Sequence, residues 1–300
     1  MHHRLTRRRL ASLFSAGLRA TAILAAFSPV LPAIAAAQPT EVSLRVKREA
    51  GQTLTYRAAV SGSGTITVVS DTQAVTVSGR FTRVEKVLSQ VKPGVWQVRV
   101  TIEEPSLTFR AGKDAETLKM QVPPLTEMVT DRAQVLEMRG WEPGQAAVTA
   151  PGMGDAVRPL FGLVQEQGLP EAPVKVGDTW TAVAKLKVPD GPDVPVPQRF
   201  EVVGFENVAG QSCAKVRATA DIPIRRELPS KGVGAQVRMQ GTEHIETMSF
   251  LAYEQAKLLR QVTAINLDLK TSTVIDPAAP DRVLPGSISL RVNVILALTP

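Results

Sequence analysis

His244 is the one histidine beyond the first three residues, and it stands between Glu243 and Glu246 in a run that alternates like a strand. With a period of two, His244 and Glu246 share a face, which makes a two-ligand metal site conceivable. Zinc needs three or four ligands at suitable spacing, and no second histidine or cysteine lies near. The residues therefore read as an exposed or ion-paired histidine. Nucleophilic catalysis needs a base beside the nucleophile. Serines are plentiful, but a single histidine and the lack of a Gly-x-Ser-x-Gly elbow give little to build on. Glu103 and Glu104 point to opposite faces of a strand, so they cannot act as a hydrolytic pair. Asp178 follows Gly177 before Trp180 and reads as a residue bonding its own turn. Gly232-Val233-Gly234 is too short for a phosphate loop and precedes no helix. Cys213 has Lys215 two residues on, where an ammonium on the same face would lower its pKa. The competing reading is a buried, inert thiol. Trp141 precedes a loop and reads either as an exposed aromatic or as a cap over the rim of a core. No catalytic residue, metal set or cofactor site is assigned.

The elements that would position these groups begin after an export leader. Met1 to Arg9 hold four arginines and no acid. An apolar stretch follows from Leu10, uncharged from Ala20 to Phe27, and Pro29 and Pro32 then break it. Ala35-Ala36-Ala37 supplies the small-residue exit, which places cleavage after Ala37. A membrane anchor needs about 20 unbroken apolar residues, and Arg19 with the two prolines leaves too few. Thr6-Arg7-Arg8-Arg9-Leu10-Ala11 also resembles the twin-arginine export motif, so the choice between that route and the general secretory one stays open. The expectation is a periplasmic or secreted protein with no membrane span after cleavage.

Setting the leader aside changes the charge argument. The whole chain is +7, with 35 basic and 28 acidic residues, but five of the arginines belong to residues 1–37. The remainder is close to neutral, which argues against nucleic acid as a partner. With Cys213 alone, no internal disulfide can form.

Beyond the leader the apolar period is two. Trp96, Val98, Val100 and Ile102 alternate with polar residues, as do Leu54, Tyr56, Ala58 and Val60, Ile265, Leu267 and Leu269, and Ile288 to Leu298. That pattern predicts all-β structure in antiparallel sheets with one solvated side. Ser61-Gly62-Ser63-Gly64 and Lys92-Pro93-Gly94 read as turns. One short helix is expected after Asp155, because Val157, Leu160, Phe161 and Val164 fall at i, i+3, i+4 and i+7, with Gly168 as terminator. It divides the chain into residues 38–150, a first β unit; 151–173, helix and linker; and 174–300, a second β unit. The units read as one plan used twice. Val46 to Thr55 and Val174 to Thr181 each precede a long strand, and Phe81 to Val100 matches Phe200 to Ala218.

Leu169-Pro170-Glu171-Ala172-Pro173-Val174-Lys175-Val176-Gly177-Asp178-Thr179-Trp180 resembles the Pro-x-x-Pro-Val-x-x-Gly-Asp-x-Trp junction of uncharacterised exported bacterial β proteins. These are distantly like the lipoprotein-carrier superfamily of half-barrels (LolA/LolB-like). Ser249 to Arg260 looks like their penultimate hairpin, although Glu254 and Ala256 stand where that group has Asp and a turn Gly. The alternating strand from Ile288 is the third point of likeness. The resemblance implies two similar curved antiparallel sheets around an apolar hollow, closed by a helix.

Two functions follow as expectations. The first is non-catalytic binding of an apolar ligand, a lipid or acyl chain, lined by Val98, Val100, Leu290, Val292 and Val294. Leu160, Phe161 and Val164 would form a lid. The alternative is a structural or interaction protein of the cell envelope with no small-molecule ligand, whose partner is another envelope protein.

Overall fold

The computed structural model describes residues 39–112, 114–119, 122–140, 168–186, 194–229, 236–274 and 283–300. Twelve strands account for most of them: β1 (Thr53–Val68), β2 (Asp71–Lys92), β3 (Val95–Ala111), β4 (Asp114–Lys119), β5 (Leu125–Thr130), β6 (Val135–Arg139), β7 (Thr179–Leu186), β8 (Val194–Val208), β9 (Gln211–Pro229), β10 (Gln236–Ala252), β11 (Lys257–Val274) and β12 (Val283–Leu298). The expected helix, with Leu160, Phe161 and Val164, falls outside the described residues, as do Trp141 and Gly232 to Gly234.

All twelve strands belong to one antiparallel sheet, ordered β6-β5-β3-β2-β1-β12-β11-β10-β9-β8-β7, with β4 beside β3. Neighbours in sequence pair as a meander in each half. The first strand then pairs with the last along thirteen residues, from Tyr56 opposite Leu298 to Val68 opposite Gly286. This pairing joins the two halves edge to edge. The edge strands of the whole sheet are β6 and β7, which flank the segment read as a linker.

Alternation sets the two faces. Leu54, Tyr56, Ala58 and Val60 of β1 are buried, as are Val292, Val294 and Leu296 of β12, while the residues between them face solvent. A period of two puts every second side chain on one face, and that inner face holds the main core. The core takes in Val98 and Leu125 from one half and Val196, Ile222 and Ile265 from the other.

Ser61 to Gly64 form no turn; they lie in the middle of β1. Gly62 and Gly64 share the parity of Val60, and a Cβ on Gly62 would meet the Arg291 carbonyl oxygen at 2.6 Å. A Cβ on Gly64, Gly79 or Gly241 would likewise run into the backbone of the adjacent strand. Glycine inside a strand marks a bend or a close backbone approach. All four are on the inner face, so the neighbouring strands lean over that face and it is concave there. Lys92-Pro93-Gly94 is a turn as read, with Gly94 at φ 72°.

One end of the sheet is closed by the chain ahead of β1. Val42 pairs with Val174, Val46 N–H donates to the Asp131 carbonyl (2.7 Å), and Lys47 N–H donates to the Ala256 carbonyl (2.8 Å). Leu169 N–H reaches the Arg132 carbonyl at 3.0 Å. The loop between β5 and β6 is thus tied to the approach to β7, which brings the two edges of the sheet together at this end. Val42, Leu44 and Val46 face inward and pack on Phe200, Val202, Val216 and Leu251.

Candidate functional site: the inner face of the sheet

The register arranges the inner face in rows across the strands. Val60, Val294, Thr263, Thr247 and Ala218 form one row; Gly62, Val292, Ile265, Ile245 and Ala220 form the next; Gly64, Leu290, Leu267, Glu243 and Ile222 follow. All five described residues expected to line a ligand lie on this face and touch one core. They do not share one environment. Val98 and Val100 are 1% exposed and packed at the closed end. Val292 and Val294 are buried midway, and Leu290 is half-buried.

Along β1 and β12 burial falls away toward the end opposite the N-terminal segment, while Val75 and Leu269 beside them stay buried and Glu243 is the charged residue of the row through Leu290. Beyond Val60 the inner positions of β1 run through the two glycines to Ile66, 37% exposed, and Val68, 54% exposed. Along β12, Leu290 and Ile288 are half-buried and Leu284 is 37% exposed. Leu267 and Phe109 are half-buried as well. Apolar side chains that converge on a concave face and keep part of their surface in water are what an aliphatic chain would cover.

The closed end holds a polar group that alternation alone does not suggest. Arg83 is 3% exposed and donates through Nε to Glu85 at 2.8 Å; its Nη2 lies 3.8 Å from Glu127. Arg48, on the N-terminal segment, donates to the Thr130 carbonyl at 3.0 Å. Tyr56 is opposite Arg83 in register, and its hydroxyl donates to the Leu258 carbonyl at 3.4 Å. Burial pushes the Glu127 carboxyl above the usual carboxylate range, and Arg83 only partly offsets this. Burial lowers Arg48. It acts in the same sense on Arg83, but Glu85 and Glu127 outweigh it and hold that guanidinium charged. Two arginines and two glutamates balance, so the group reads as a satisfied ionic anchor for the N-terminal segment rather than a poised acid or base. A second polar strip crosses β10 and β11, where Thr247 and Thr263 are 3.3 Å apart and Gln261 donates to Ser249. The sequence signal that marks them is a charged or amide residue at inner parity, Arg83 and Glu85 in Phe81-x-Arg83-x-Glu85-x-Val87 and Gln261 in β11.

His244, Cys213, Glu103, Glu104 and Asp178 lie off this inner face. His244 Nδ1 lies 2.7 Å from Asp221 on the outer face, where Glu246 shares its side of β10. Among the described residues no group of three or more such donors could hold a metal ion. Cys213 is fully buried, and burial pushes its thiol up. Lys215 shares its face but turns to Glu206 at 3.3 Å and to the Phe250 ring at 5.5 Å. Glu103 and Glu104 do not alternate: Glu104 has φ 50° at an irregularity of the β2–β3 register, and both side chains are exposed. Asp178 Oδ2 accepts from Lys175 N–H at 3.0 Å, as a turn-forming aspartate does. Trp180 stacks on Phe200 at 5.2 Å and donates to the Gly168 carbonyl at 2.6 Å.

No family model matches the chain, and no curated protein matches it.

Proposed function

We propose that this chain is an exported, non-catalytic binder of an apolar ligand, a lipid or acyl chain, held on the inner face of a half-barrel-like sheet. The observation that carries the reading is the gradient of burial along β1 and β12, at the centre of that face. One end is plugged by Val42, Leu44 and Val46, and the other presents Leu290, Ile288, Leu267 and Ile66 half-covered. The strand glycines bend the sheet around this surface, and few aromatics fill it. Transfer of a long acyl chain onto such a surface is favourable by about 0.8 kcal/mol per buried methylene.

The two halves are proposed to be one unit used twice. Gly51 and Gly177 both have positive φ, and each donates its N–H to a strand residue, Val87 or Val202. Each of those residues in turn donates back to Gln52 or Asp178. Matching hydrogen bonds at matching turns support the repeat.

The test is extraction of the purified protein with organic solvent and identification of what comes out, followed by titration with a fluorescent fatty acid. Stoichiometric lipid and saturable binding are expected. Replacing Leu290 and Ile288 by glutamine should weaken binding more than about tenfold, because two half-buried apolar contacts are lost. A lipid-free protein that takes up no fatty acid would overturn the reading.

A further inference from the structure

The outer face of the sheet is divided by charge, although the chain beyond the leader is nearly neutral. On β9 and β10 most outward cations are matched, Arg225 excepted: Arg217 bonds Glu201, Lys215 pairs with Glu206, Arg238 with Glu227 at 2.9 Å, and His244 with Asp221. On the other part of the same face, β3, β2, β1, β12 and β11 present Arg99, Lys86, Arg80, Arg57, Arg291 and Arg260, all exposed. Among the described residues none of these six is in an ion pair. Neither β1 nor β12, the central pair, contains an acid along its whole length. The acids facing outward on these five strands are Glu103 and Glu104, together at the irregularity in β3, and Asp268, near the far end of β11.

Two juxtapositions work against folding stability. Lys86 is directly opposite Arg99, and like charges across a ladder repel. Arg57 and Arg260 flank Ala297 from both sides, with no carboxylate between them. Between the cations lie Ser61, Ser63 and Ser78, whose hydroxyls can donate to phosphate, and Ile295, 38% exposed.

We infer that this face docks on a bilayer surface rich in anionic phospholipid headgroups. Charge complementarity supplies the attraction, and a broad five-stranded face suits a planar partner. Single-stranded nucleic acid is disfavoured because stacking needs exposed aromatics, and Phe250 of the adjoining β10, whose ring lies 5.8 Å from the Arg260 guanidinium, is 7% exposed. A chain whose leader directs export meets membrane lipid first. The inference does not depend on lipid being the cargo of the hollow.

The test is flotation of the purified protein with phosphatidylcholine vesicles, with and without phosphatidylglycerol, at low and raised salt. Binding only to the anionic vesicles, weakened by salt, is expected. Each arginine near the surface contributes roughly fivefold in partition, so Arg57→Ser, Arg80→Ser and Arg291→Ser together should lower it on the order of a hundredfold. Arg199→Ser, on the outer face of β8, should change nothing. Lys86→Glu should weaken vesicle binding while raising the unfolding midpoint, a combination that a purely structural role would not produce. The Leu290 and Ile288 glutamine variant should bind vesicles like the parent, which separates this result from the fate of the hollow. Equal binding to both vesicles, no binding to either, an unchanged triple variant, or displacement from anionic vesicles by duplex DNA would each overturn the inference.

Discussion

At the scale of single residues, the most consequential group is the one around Arg83. Its guanidinium is shared by Glu85 and Glu127 in a site from which water is nearly absent, and Arg48 brings a second positive charge on a separate segment. Removing one member of a buried ionic group leaves an uncompensated charge, which costs more than the intact group contributes. Arg83→Met should therefore destabilise the protein by about 3 kcal/mol at neutral pH. The sign of its pH dependence follows from burial, which already raises Glu127 and would raise it further without the guanidinium. A carboxyl whose folded pKa lies above its unfolded value near about 4.3 favours the fold below that value and loses this as pH rises through the folded pKa. The penalty in Arg83→Met should thus be small near pH 4 and full near pH 7, a shift that urea midpoints at the two pH values would read. An equal penalty at both would mean that Arg83 acts through packing alone. Parity marks Arg83, Glu85 and Glu127 as inward, but it says nothing of Arg48, which precedes β1, or of their joint role. Arg48, Tyr56, Arg83 and Glu127 come from four segments, and only folding brings them together.

At the scale of elements, alternation was a sound guide wherever one face is buried and the other wet. The strands from Leu54, Trp96, Ile265 and Ile288 lie with the expected faces inward. It failed at Ser61-Gly62-Ser63-Gly64 because composition cannot separate a turn from a bend. Both need glycine, one for positive φ and the other to admit a neighbouring backbone. The converse occurs at Tyr253 to Ala256, a turn made without its expected glycine, where Ala256 takes φ 50°. The distinction can be measured. Gly64→Ala places a methyl group against the Ser289 backbone, which a flexible side chain cannot relieve, so a loss of about 3 kcal/mol is expected. At Gly204, in the irregularity of β8, an added Cβ meets nothing within 4 Å. There the same substitution should stay within about 0.5 kcal/mol. Thermal unfolding of the two variants side by side checks this, and similar midpoints would show that the bend in β1 tolerates a side chain.

At the scale of the molecule, what the sequence left unread is the pairing of β1 with β12. No local pattern encodes a partner at the other end of the chain; hydrophobic period tells a strand which face to bury, not which strand lies beside it. That pairing decides how the halves behave. Each has its own meander, so a division near residue 150 suggests two units that could melt apart. The inner face argues otherwise, since Val60 and Val294 share a row and the core runs from Leu125 to Val196 without a break in contact. Opening the β1–β12 seam would expose apolar surface on both halves at once, so neither gains by unfolding first. The tryptophans make this testable, because Trp96 lies in β3 and Trp180 in β7. With Trp141→Phe in place, adding Trp180→Phe leaves a reporter in the first half, and adding Trp96→Phe leaves one in the second. Urea unfolding followed by fluorescence, set against circular dichroism of each variant to correct for its own change in stability, should give coincident midpoints and slopes. A midpoint for either tryptophan that departs from the circular dichroism transition of the same variant would mean that the halves unfold separately and that the central seam does not couple them.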